Sequence, residues 1–196
     1  ETAHLASDKL AMKERFAEHE IPIPWFEEVR STSELTGIVK QRGLPLVLKP
    51  IDRSGSRGVC LLDEDSDRDA LFAAARDISF SGRVMVEEFL SGLQISTESL
   101  LWGGRDATPG FADRNYEFLA RFRPQVMENG GWVPSILDER ARAQVERTAV
   151  AAARALGIEA GVAKGDLVLT PQGPKVIEIA ARLSGGLVKV EVANAK

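Results

Sequence analysis

Residues 165–182 read GDLVLTPQGPKVIEIAAR. The runs Gly165 to Thr170 and Pro174 to Ile179 flank Pro171-Gln172-Gly173, and the whole reads as a β-hairpin. With Gln172 at the centre of the turn, Thr170 faces Pro174 and, counting outward, Asp166 faces Glu178. Directly opposed side chains on antiparallel strands have Cβ atoms ~5 Å apart, where like charges repel. Leu167, Leu169, Ile177 and Ile179 then share the other face. They fix the register, because a one-residue slip would turn them to solvent. Two carboxylates held together call for a cation. Hard oxygen donors without His or Cys point to magnesium, with manganese the second choice. Taken alone, the hairpin also fits two solvated acids beside a slipped turn.

Arg182 follows four residues after Glu178, ahead of Leu183-Ser184-Gly185-Gly186. Its planar fork of donors suits a phosphate or a carboxylate. Upstream, Leu44 to Lys49 is a nearly continuous apolar run ending in lysine, the pattern of a buried strand. A polar loop follows, Asp52-Arg53-Ser54-Gly55-Ser56-Arg57-Gly58. A lysine leaving a strand beside backbone N–H groups that glycine leaves accessible is placed to meet phosphate. A mobile loop with a solvated lysine fits the local sequence equally well. The spacing matches neither GxxxxGK[ST] nor GxGxxG. Val84 to Phe89 is an apolar strand turning acidic at Glu87-Glu88, which could offer an acceptor to an adenine amino group.

Helices are expected over 8–20, 32–43, 67–77 and 139–156. Ser7 or Asp8 caps the first and Ser31 with Glu34 the second, while Gly43 and Gly157 serve as stops. Ile21-Pro22-Ile23-Pro24 ends the first helix. Val59 to Leu62 and Gln94 to Leu101 read as further strands. Residues 103–135, rich in Gly, Pro, Asn and Arg, read as a long excursion. Its Arg105, Arg114, Asn115, Arg121 and Arg123 suit an anionic substrate or a solvated loop alike. Strands and helices mix without βαβ alternation, so the fold class is α+β.

Composition narrows the chemistry. The chain has 196 residues, 44% hydrophobic and 28% charged, with a net charge of -4. That suits a soluble domain with a substantial core and argues against non-specific nucleic-acid binding. The single cysteine, Cys60, rules out an internal disulfide or a CxxC metal site and fits a reducing, cytoplasmic setting. His4 and His19 lie near the N-terminus in no catalytic context. No apolar run approaches the ~18 residues of a membrane span, and no signal peptide is expected.

These pieces occur in one order: a helix opening Asp8-Lys9, LPLVLKP (44–50), a Gly/Ser loop, VMVEEFL (84–90), and the carboxylate hairpin running into KVIEIAARLSGG (175–186). In that order the chain resembles the ATP-grasp superfamily, in particular the branch with the carbamoyl-phosphate synthase large subunit, biotin carboxylase and phosphoribosylglycinamide synthetase. The resemblance implies two α+β lobes, 1–87 and 88–196, with ATP between them. It implies that Lys49 contacts the ATP phosphates, that Lys9 is the earlier lysine on the nucleotide side, and that Gly55, Ser56 and Gly58 form the mobile loop closing over the phosphates. Glu87 would accept from the adenine amino group, with Phe89 and Leu90 as the backbone hinge and Gln94 at the ribose. Asp166 and Glu178 would be the magnesium ligands, and Arg182 would stabilise a phosphorylated intermediate. The implied activity is ATP-dependent ligation: a small-molecule carboxylate becomes an acyl phosphate and is attacked by an amine or similar nucleophile. The alternatives are an ATP-binding module silent without further domains, or a carbamoyl-phosphate-synthase-like enzyme. A metal-binding protein without nucleotide is a third reading. A homo-oligomer is compatible with the sequence.

The pattern departs from the family in places. Ala180 stands where the family often has asparagine, two residues after the metal-binding Glu, and Asp166 stands where several members have Glu. No counterpart of the bicarbonate-handling segments of biotin carboxylase is recognised. A preceding N-terminal domain is expected to be absent here, and the join from Gly186 into Leu187-Val188-Lys189 reads as abrupt.

Overall fold

A computed structural model describes residues 2–184. Its elements, in chain order, are α1 (Thr2–Leu5), α2 (Lys9–Glu18), β1 (Phe26–Val29), α3 (Thr32–Arg42), β2 (Leu46–Pro50), β3 (Cys60–Leu62), α4 (Arg68–Ile78), β4 (Val84–Glu88), β5 (Leu93–Trp102), β6 (Arg105–Arg114), α5 (Leu119–Phe122), β7 (Gly131–Trp132), α6 (Glu139–Ala155), β8 (Gly161–Thr170) and β9 (Gly173–Ala180). Gly185, Gly186 and the join into Leu187 lie outside the described residues.

The four longer helices begin at side-chain caps that accept the free N–H groups of the first turn. Asp8 accepts from Leu10 and Ala11, Ser31 from Glu34, Asp67 from Ala70 and Asp138 from Ala141. Glu34 reaches back to the N–H of Arg30, one residue before the position a capping box would use.

Two antiparallel sheets result, one ordered β1-β4-β2-β3 and the other β7-β6-β5-β8-β9. On the smaller sheet, alternation sends Leu46, Leu48, Val84 and Val86 into a core against α3 and α4. It leaves Val47, Lys49 and Glu87 on the opposite face. On the larger sheet, Ile95, Leu167, Val176 and Ile179 pack on Val145, Ala149 and Leu156 of α6. Met12 and Phe16 of α2 join this second core, so the N-terminal helix packs beneath the sheet formed by the C-terminal strands. No helix among the described residues is long and apolar enough to cross a membrane.

Three features differ from expectation. β1, a strand not anticipated after the Ile-Pro-Ile-Pro segment, pairs with β4. The expected excursion at 103–135 begins as a ten-residue strand, β6. Its pairing with β5 shifts register between Glu98 and Leu100, opposite Thr108-Pro109. A proline is tolerated there because a bulge asks for no ladder hydrogen bond. The remainder of the excursion crosses to the small sheet. Leu61 donates to the Pro124 carbonyl at 2.7 Å and Val126 to the Val59 carbonyl at 3.1 Å, so residues 124–126 extend the β3 edge.

The third difference lies in the hairpin. Its turn has two residues, with Thr170 opposite Gly173 and Leu167 opposite Val176. A bulge then intervenes, and Asp166 does face Glu178. The extra residue exchanges Ile177 for Val176 in the core: Val176 is fully buried, while Ile177 lines the other face.

Candidate active site

The exposed faces of the two sheets bound a cleft of about 540 Å³. Every residue to which the resemblance gives a role lines it, with one exception. Lys9 comes from the start of α2, Lys49 from the end of β2, and Gly55 and Ser56 from the loop after it. Glu87, Phe89, Leu90 and Gln94 come from the passage between β4 and β5. Asp166 and Glu178 come from the hairpin, and Arg182 follows β9. The exception is Gly58, at φ +74°, where an added Cβ would lie 2.7 Å from Ile78 and 2.8 Å from Pro50. It anchors the loop against the small sheet rather than reaching over the cleft. Gly55 by contrast has open space around it.

Glu87 is ion-paired on both oxygens, and Oε2 has no hydrogen-bond partner. It is 3% exposed. Oε1 pairs with the Lys49 ammonium, and Oε2 lies 3.3 Å from Lys13 Nζ. Burial alone would raise this carboxyl, but the charges of Lys13 and Lys49 outweigh it and hold it below the usual range. Lys13, itself 1% exposed, is pulled down by burial to about 8 against the attraction of Glu87. Lys9 donates to the Arg53 carbonyl and lies 3.5 Å from Glu178 Oε2, so one lysine spans from the loop after β2 to the hairpin.

Asp166 is held between cations. Oδ2 accepts from Lys164, and Oδ1 lies 3.4 Å from Arg114 Nη2. Arg114 also pairs with Glu128 and approaches Ser96 Oγ at 3.4 Å. Burial alone would raise the Asp166 carboxyl, yet the charges of Lys164 and Arg114 keep it low. Tyr116 stands over this group. Burial, then the charges of Asp166 and Glu128, push its hydroxyl up to about 12, so it stays a neutral donor at neutral pH.

As a metal position, the opposed carboxylates supply hard oxygens. Glu178 carries the lighter load, a single ion pair at 3.5 Å. Among the described residues no three His, Cys, Asp or Glu side chains gather into a metal-binding group. A pair of carboxylates is a donor set that suits magnesium, which is commonly held by one or two carboxylates with ligand oxygens and water filling the shell. Ala180 offers no side-chain oxygen beside them.

The sequence reading missed Lys13, Lys164, Ser96, Tyr116 and Glu128. Two of these left a signal. Lys13 stands one helical turn after Lys9, and Lys164 is two residues before Asp166 and so on the same strand face. Of the arginines in the excursion, Arg114 reaches the cleft, while Arg123 pairs with Asp63 at 3.1 Å away from it.

Comparison with known proteins gives a consistent picture. A family model described as an ATP-grasp domain matches residues 6–186. A D-alanine–D-alanine ligase of Bordetella avium is 32% identical over 182 residues, covering 89% of this chain and 56% of that protein. A phosphoribosylamine–glycine ligase of Halalkalibacterium halodurans is 28% identical over 192 residues, 92% of this chain and 45% of the relative. Among solved structures, an L-amino acid ligase from Bacillus licheniformis superposes with a TM-score of 0.75 at 25% identity, over 94% of this chain and 42% of its own. Biotin carboxylase from Campylobacter jejuni has a TM-score of 0.79 at 20% identity over the same shares, a likeness of fold alone. The chain spans about half the length of the curated relatives it matches.

Proposed function

The chain belongs to the ATP-grasp family, and from that premise we propose that it binds ATP between its two sheets and uses it to join a small-molecule carboxylate to an amine. The observation that carries this reading is the convergence, in one cleft, of cationic side chains from α2, β2 and the segment after β9 with a cross-strand carboxylate pair.

In this reading the lobes are residues 1–87 and 88–196, with the nucleotide in the cleft. Lys49 turns from Glu87 to the phosphates, and the Gly55-Ser56 backbone closes beside them. Glu87, which lines the cleft and keeps one oxygen without a hydrogen-bond partner, would accept from the adenine amino group, with the backbone of Phe89 and Leu90 as the hinge and Gln94 at the ribose. Glu178 and Asp166 would hold magnesium, which supplies charge neutralisation at the transferring phosphoryl group. Phosphoryl transfer asks little covalent work of the protein and much fixed positive charge. Lys9, Lys49 and Arg182 supply it on one side of the cleft, and Lys164 and Arg114 on the other. The carboxylate substrate, activated as its acyl phosphate, would meet the amine near Arg182.

Isothermal titration with Mg-ATP, followed by ADP release against a panel of carboxylates and amines, tests the proposal. ATP binding with acceptor-dependent ADP release is expected. Absence of Mg-ATP binding overturns it. Binding without turnover favours the reading as a nucleotide-binding module that needs further domains, which the half-length match to its relatives keeps in view.

A further inference from the structure

Lys13 lines no part of the cleft, yet it touches the machinery on both sides of it. It projects from α2 into the seam between the sheets. Its ammonium donates to the Val176 carbonyl of β9 at 3.1 Å and lies 3.3 Å from Glu87 Oε2 of β4. Glu87 Oε1 holds Lys49. Lys13, Lys49 and Glu87 are 1%, 5% and 3% exposed, so two ammonium groups share one carboxylate out of reach of bulk water. Glu178 is the further charge felt at Lys13, at longer range.

Burying a surplus cation is costly, and burial indeed pulls the Lys13 ammonium toward neutrality. Two cations on one carboxylate have one clear use: the carboxylate stays compensated when one of them leaves. Only Lys49 has a way out, because it lines the cleft and Lys13 does not. Without Lys13, drawing Lys49 onto an anionic ligand would strand Glu87 as a buried, unpaired carboxylate, the arrangement that proteins tolerate least.

We propose that Lys13 is a positioning residue for the nucleotide: it keeps the charge of Glu87 balanced and so releases Lys49 to the phosphates. Its second bond has a further consequence. The Val176 carbonyl immediately precedes the bulge that sets Glu178 opposite Asp166. Lys13 thereby fastens the Lys49 side of the cleft to the carboxylate hairpin. The inference rests on the proposed binding of ATP in this cleft.

The test is a thermodynamic cycle in Mg-ATP affinity, measured by titration calorimetry on wild type, Lys13→Met, Glu87→Gln and the double variant. Circular dichroism melts accompany each protein. Lys13→Met is expected to weaken binding at least tenfold, because Lys49 remains locked on Glu87. Lys13→Arg, which keeps the charge, should retain most of the affinity. In the double variant no buried negative charge needs balancing, so its affinity should match that of Glu87→Gln within about threefold. A merely structural lysine would instead add its full loss to that of Glu87→Gln, and that additivity overturns the proposal. So does wild-type affinity in Lys13→Met. Should Lys13→Met fail to fold, the comparison of the double variant with Glu87→Gln decides alone. If wild type itself binds no Mg-ATP, both the ligase reading and this inference fail. Binding by wild type with additive losses sinks only the latter.

Discussion

Asp166 and Glu178 face one another across β8 and β9 although the turn between those strands is one residue too short to place them there. A two-residue turn alone would oppose Asp166 to Ile177. The bulge after Val176 supplies the missing residue and brings the second carboxylate into the cleft. Bulges bend a strand and re-aim its side chains, and they recur beside active sites for that reason.

The two carboxylates carry unequal duties, and substitution should separate them. Glu178 has one ion pair at 3.5 Å, whereas Asp166 holds Lys164 and Arg114. Glu178→Gln should abolish the divalent-cation dependence of nucleotide binding and lower turnover at least a hundredfold while leaving stability nearly unchanged. Asp166→Asn should also cost about 1–3 kcal/mol of folding free energy, since it leaves a buried lysine unpaired. Mn²⁺ titration followed by electron paramagnetic resonance, with urea unfolding alongside, checks both.

Lys49→Ala should weaken ATP binding at least tenfold without unfolding the protein. The reason is local: Glu87 keeps Lys13 at 3.3 Å when Lys49 is gone. Removing Glu87 is a different matter, for it leaves two buried ammonium groups without the carboxylate that balances them. Glu87→Ala should destabilise the fold by about 3–5 kcal/mol. Chemical denaturation of the two variants side by side gives the comparison, and equal stability would show the triad to be misread.

Gly55 and Gly58, in the loop after β2, should respond differently to alanine. Gly55 has φ +67° and open space, so Gly55→Ala incurs only the left-handed backbone cost of about 1–2 kcal/mol. Gly58→Ala adds contacts of 2.7 and 2.8 Å with Ile78 and Pro50 to that cost. Its melting temperature should fall well below that of Gly55→Ala, measurable by calorimetry without nucleotide.

Acid should weaken the fold through two carboxylates, the buried Glu87 and the part-buried Asp166. Glu87 and Asp166 are both held below their ordinary values by neighbouring cations. In such a case the unfolded chain binds more protons than the folded one as the pH falls. Their contribution is complete above the ordinary carboxylate value of about 4 and is lost as the pH drops below it through the lowered folded values. Urea unfolding from pH 7 to pH 3 should show this decline, and it should be shallower in Asp166→Asn than in wild type.

Much of this architecture was legible in the sequence where the signal is local. Caps at Asp8 and Ser31 mark helix starts because the side chain and the N–H groups it satisfies lie within three residues. Lys49 and Glu87 stand toward the ends of nearly continuous apolar runs, and Glu178 in a hairpin whose turn residues are plain. What escaped depends on distant partners. The ion pair of Glu87 with Lys13 is silent in the sequence, because Lys13 is far away in the chain and sits on a helix that packs with the other sheet. β6 was read as loop because Pro109-Gly110 interrupts its pattern, and only the bulge against β5 explains how a strand accommodates them. The Ile177 bulge is likewise silent in sequence, since Val176 and Ile177 fit the core equally well. The kinship to D-alanine–D-alanine ligases, absent from the branch inferred from motifs, came from whole-chain similarity.

The crossing from Arg114 to Gly131 has a mechanical consequence. It leaves the large sheet, docks residues 124–126 along β3, and returns to pair at β7. The small sheet is thus joined to the large one twice, through the passage from its inner strand β4 to β5 and again along its β3 edge. A hinge at the first join cannot act alone: any change of angle between the sheets must either carry the strap at 124–126 with it or break its bonds to β3.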